Sequence, residues 1–184
     1  MNALSLWVRL GKALNRLGDI FVLISAVMLM LMVVLLGLEI GDRAFFKSST
    51  QIADEYSGYL FTWVTICCFL YAQRTDRFLR VDSMRKRFAP RGRAAADGVA
   101  SLLGAALTSV LVHATWSTFM MSIQFSSVSI QPSQTPLAIP QVVMPIGLTL
   151  LAIAFVHSGI TSFLQVLGYL PLSKIGAATT ASHE

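Results

Sequence analysis

Residues 98–173 read GVASLLGAALTSVLVHATWSTFMMSIQFSSVSIQPSQTPLAIPQVVMPIGLTLLAIAFVHSGITSFLQVLGYLPLS, 76 residues without a single Asp, Glu, Lys or Arg. Soluble folds carry these charged residues on every exposed helix and strand, so a stretch that omits them for this long has lipid as its solvent. Immediately upstream, Arg74 to Arg93 gathers eight basic residues. The reading is a membrane-spanning chain with one strongly sided loop.

The rest of the sequence agrees. Of 184 residues, 55% are hydrophobic and only 12% charged, which leaves too little polar sequence for a separate soluble domain. The net charge of +5 raises the question of nucleic acid. The basic residues flank apolar runs, however, and no nucleic-acid-binding motif accompanies them, so anionic phospholipid is the expected partner and nucleic acid is not. Cys67 and Cys68 are adjacent, about 100° apart on a helix, and lack redox or metal-ligand spacing. No cofactor or metal is expected. No cleavage-site pattern follows the first apolar run, so that run is expected to stay as a span.

A bilayer core of about 30 Å needs roughly 20 helical residues. Four stretches qualify, 20–38, 56–73, 99–124 and 140–168, predicting an all-α integral membrane domain of four transmembrane helices across 1–184. The N-terminal segment, the second loop and the tail hold 12 of the 14 basic residues. The positive-inside bias therefore places both termini and the second loop in the cytoplasm. Two cytoplasmic-side segments have the pattern of amphipathic surface helices. In the first, Leu6, Leu10, Leu14 and Leu17 oppose Arg9, Lys12 and Arg16. In the second, Val81, Met84 and Phe88 lie among Arg80, Arg85, Lys86 and Arg87.

A transporter or membrane enzyme acting alone places ionisable groups deep in its spans. Here Asp19 and Glu39 stand at the two ends of the first span. His113 and His157 are the exceptions, and a neutral histidine bonded to a neighbouring helix is the simplest reading of each. The second span groups Glu55, Tyr59, Thr62, Trp63, Ile66, Leu70 and Gln73 on one face, which calls for protein rather than lipid. The third carries a small-residue stripe, Ser101, Gly104, Ala105, Thr108, Val112 and Thr115, that permits close helix approach. Internal packing accounts for one of these faces, and a partner subunit is available to the other. The Ser- and Gln-rich loop 125–139 leads into Pro140, which a first helical turn tolerates, and Pro145, which should bend the fourth span.

In order and spacing these features resemble the small, Q-type membrane subunit of the TRAP (tripartite ATP-independent periplasmic) transporters over nearly the whole chain. The residues that carry the likeness are Asp54-Glu55 opening the second span, Trp63 within it, Arg80-Val81-Asp82 at its basic exit, and Ile139-Pro140 followed by Met144-Pro145-Ile146-Gly147. Phe78 and Gln141 stand where the family often carries His and Trp. The resemblance implies a bacterial inner-membrane scaffold with no catalysis of its own. Its partners would be a large multi-span subunit holding the substrate and sodium sites, and a periplasmic binding protein delivering an organic acid. On that basis Glu55, Tyr59, Trp63, Gly104, Thr108, Pro140 and Pro145 are expected to face the large subunit. Arg74, Arg80, Arg85, Lys86, Arg87 and Arg91 are expected to face lipid. A stand-alone exporter is disfavoured by the missing embedded carboxylate, and a membrane redox protein by the cysteine spacing.

Overall fold

The computed structural model describes residues 2–47, 52–75 and 90–168, and it is helical almost throughout. Helix α1 is Asn2–Phe46, α2 Ile52–Arg74, α3 Pro90–Gln124, α4 a single turn Ala138–Gln141, and α5 Val143–Val166. The α1 and α2 helices form one antiparallel hairpin and α3 and α5 another, and the two join where α2 packs on α5. Helices α1 and α3 thus lie at opposite edges, with α2 and α5 between them.

Three helical segments are long and apolar enough to cross a membrane: Trp7–Phe45, Arg91–Gln124 and Ala138–Val166. The second helix falls short by composition, because Tyr, Trp, Thr, Gly and Gln dilute its aliphatic residues. Its position explains this, since α2 has a helix on either side and its polar groups meet protein.

The first helix differs from expectation. Its 45 residues rise about 67 Å, more than twice a bilayer core, and the amphipathic N-terminal stretch is continuous with the apolar span rather than a separate surface helix. The reason is a buried stripe of Gly11, Leu14 and Gly18. A Cβ at Gly11 would lie 3.1 Å from the His157 ring of α5, and one at Gly18 would lie 3.6 Å from the Tyr71 backbone of α2. These turns press on neighbouring helices instead of on headgroups. The second amphipathic segment, with Arg80, Arg85, Lys86 and Arg87, lies outside the described residues, as does the C-terminal tail.

Ahead of Pro145 the helix is interrupted at Val142, between α4 and α5, although Val142 itself keeps helical dihedrals of φ −58° and ψ −30°. Pro145 has no N–H for the carbonyl of Gln141, and its ring crowds that carbonyl, so the helix is irregular one turn before the proline. Close packing does the rest. A Cβ at Gly147 would come 2.1 Å from Ile66 of α2, and one at Gly104 would come 2.7 Å from Phe155.

Candidate functional site

The polar side chains collect at the two ends of the helix layer. At the first end, α2 begins with Glu55, buried although ionisable. The loop between α3 and α4 folds back to meet it, pinned as a tight hairpin by Ser129 N–H donating to the Thr135 carbonyl at 2.9 Å and Leu137 N–H to the Ser127 carbonyl at 3.0 Å. Ser126 and Gln134 take positive φ of 46° and 47° to make the turns. Tyr59 donates to one Glu55 oxygen at 2.6 Å and Ser133 donates to the other. Hydrogen bonds from Ser129, then Ser133 and Tyr59, hold the Glu55 carboxyl below the usual carboxylate range, more than offsetting its partial burial. Tyr56 and Thr135 share a further hydrogen bond at 3.0 Å.

Beneath this cap, the Trp63 indole donates to the Pro140 carbonyl at 3.2 Å, and Ser122 donates to Gln141 Oε1 at 2.6 Å. Between them opens a cleft of about 370 Å³ lined by Glu55, Tyr59, Thr62, Pro140, Gln141 and Met144 among others. On the α1 side, Arg43 bridges Glu39 at 3.1 Å and Asp54 at 3.3 Å, tying the end of α1 to the start of α2.

The opposite end is a three-helix clamp. Arg74 of α2 donates through Nε to Asn15 Oδ1 at 2.6 Å and through a terminal nitrogen to the Gly11 carbonyl at 3.2 Å, both on α1. Its other terminal nitrogen meets His157 Nδ1 of α5 at 3.3 Å. The His157 ring stacks on Trp7 with centroids 4.5 Å apart, and its Nε2 lies 3.3 Å from the Trp7 carbonyl. The Trp7 indole donates to Thr161 at 3.1 Å.

Glu55, Tyr59, Trp63 and Pro140 are therefore brought together, by a loop whose serines carried no individual signal in the sequence. Gly104 lies against Phe155, and Thr108 is buried and bonded to the Gly104 carbonyl. Pro145 is fully buried. Both the α2 face and the α3 stripe thus pack within this chain. Arg74, grouped in the sequence with the lipid-facing basic run, is turned toward protein, whereas Arg91 is exposed at the start of α3. Trp7, Gly11, Asn15 and Thr161 were missed, because nothing local marks residues that meet only through tertiary contact. Among the described residues no group of His, Cys, Asp and Glu is arranged to hold a metal ion.

Comparison with known proteins identifies one family: the model for tripartite ATP-independent periplasmic transporters, DctQ component, matches residues 32–165. No curated protein and no solved structure matches the chain. The matched segment contains the Glu55 cap, the Trp63–Pro140 link and the Val142 interruption between α4 and α5, so the chain belongs to the DctQ family, the small membrane component of TRAP transporters.

Proposed function

We propose that this chain is the fixed brace of its transporter: a four-span inner-membrane subunit, both termini cytoplasmic, that supports the large transport subunit during sodium-coupled, binding-protein-dependent uptake of an organic acid. The observation that carries this reading is where the polar groups go. Arg74, His157, Trp63 and Glu55 are engaged in links from one helix or loop to another. Such cross-links stiffen a scaffold. A subunit that moved substrate would instead need ligands facing an open path.

The cleft at Glu55 supports the same conclusion from chemistry. An ionised carboxylate at its wall repels an organic anion, so recognition of a carboxylate substrate falls to the other components. In this reading α2 crosses the membrane shielded by α1 and α5, and the Glu55 cap faces the periplasm, where its cleft is open to a partner's side chain. The basic second loop seats the assembly on anionic phospholipid. Reconstitution tests the proposal: vesicles holding this chain alone should show no sodium-driven uptake, and adding the large subunit with the binding protein should restore it. Uptake by the isolated chain would overturn the brace.

A further inference from the structure

Helix α3 carries more polar residues than a lipid-facing edge requires, and they fall into two kinds. Ser109, Thr115 and Thr118 return their hydroxyls to backbone carbonyls one turn back, at 2.8, 2.8 and 3.0 Å, which satisfies them in hydrocarbon. His113, Trp116 and Ser117 do not. All three are exposed, and among the described residues no hydrogen bond reaches the imidazole, the indole N–H or the Ser117 hydroxyl. At 100° per residue His113 and Ser117 lie within one exposed arc of α3, about 80° or more from the buried Ser101, Ala105 and Thr108, and Trp116 stands between that arc and the buried one.

Depth makes this costly. Counting along the helix, His113 is about 24 Å from Asp97 and about 14 Å from Ser122, the residue levelled with Gln141 below the Glu55 cap, so its ring cannot reach water at either surface. An unsatisfied polar group in hydrocarbon costs several kcal/mol, and lipid tails offer no acceptor. The neighbouring arc of Leu103, Leu107 and Met121, with Leu107 67% exposed, has the composition that lipid asks for. In the turns from His113 to Ser117 the exposed edge therefore changes from polar to apolar, whereas nearer Asp97 the same arc is apolar, at Val99 and Leu102.

We infer that the arc of α3 bearing His113 and Ser117, with Trp116 at its border, is the docking surface for the large membrane subunit, met there by a transmembrane helix that presents a hydroxyl, amide or carboxylate oxygen opposite His113. This rests on the reading of the chain as a brace, and on the family's place in a multi-component membrane transporter, which supplies a second chain within the bilayer. The contact lies one arc round the helix from the small-residue stripe, which α5 already occupies. Interhelical hydrogen bonds of this type add modest energy but fix the partner's register.

The test uses the assembled transporter in native membranes, with a photo-reactive benzoylphenylalanine at position 117 or, as control, at 107. Irradiation should join position 117 to the large subunit and leave 107 joined to lipid alone. Adducts from 117 with lipid alone, or with a second copy of this chain, would overturn the assigned surface. His113→Leu, which turns the site into ordinary lipid-facing helix and leaves the isolated chain folded, should lower recovery of the large subunit about tenfold under stringent detergent. Undiminished recovery would remove the hydrogen-bonded contact. Failure of the unaltered chain to retain the large subunit at all would instead bring down the brace reading itself.

Discussion

At the scale of single residues, Glu55 shows how a carboxylate can be both buried and charged. Three hydroxyl donors stand in for water, and they hold its folded-state pKa below the unfolded value of about 4.3. For a depressed carboxylate the stabilisation is complete above the unfolded pKa and is lost as pH falls through the lower, folded one. Thermal unfolding in detergent should therefore show wild type losing stability as pH falls below about 4.3, and Glu55→Gln losing less over the same acid range. Equal slopes for the two proteins would show that the cap does not depend on charge. Gly147 tests packing rather than charge. Because an added methyl would overlap Ile66 at 2.1 Å, Gly147→Ala should cost about 1–3 kcal/mol, and less when Ile66→Ala has emptied the space. An equal cost in both backgrounds would mean that the strain lies in the backbone.

At the scale of elements, the N-terminal third of α1 is held by the Arg74 clamp, the Trp7–His157 stack and the buried Leu14, while Val8 and Leu10 are exposed. Arg74→Met keeps the length of the side chain and removes its donors to Gly11, Asn15 and His157. These first turns should then open more often, and limited trypsin digestion should cut at Arg9, Lys12 or Arg16 several-fold faster than in wild type, with the apolar span still protected. Unchanged cleavage would assign the docking to the Trp7–His157 stack instead. This element was partly legible beforehand. The wheel of leucines against Arg9, Lys12 and Arg16 marks an amphipathic helix correctly, but an apolar stripe is equally suited to headgroups or to protein. Gly11 and Gly18 decide for protein only once Tyr71 and His157 are known to lie opposite.

At the scale of the whole molecule, the row of helices has two exposed edges, α1 and α3, and a shielded interior, α2 with α5. An open layer of this kind is suited to lie along a larger partner. Its orientation is testable by cysteine labelling in intact cells: Ser133→Cys in the α3–α4 loop should react with a membrane-impermeant maleimide, and Ser5→Cys should react only after the cells are opened. The reverse pattern would invert the proposed topology. Cys67 is buried in α2, which limits its background reaction.

The membrane class and the all-helical architecture were decided by the sequence alone, because solvent preference is written residue by residue: 76 residues without a charge admit one solvent. Glu55, Trp63 and Pro140 were also legible as residues out of place in lipid. Their actual partners were not. Ser133 lies 78 residues from Glu55 and His157 lies 150 from Trp7, so these pairs exist only after the helices have packed and the loop has closed. A polar residue in an apolar helix announces that it needs a partner, while the tertiary structure decides whether that partner lies within the chain, as for His157, or is left for another molecule to supply, as we infer for His113.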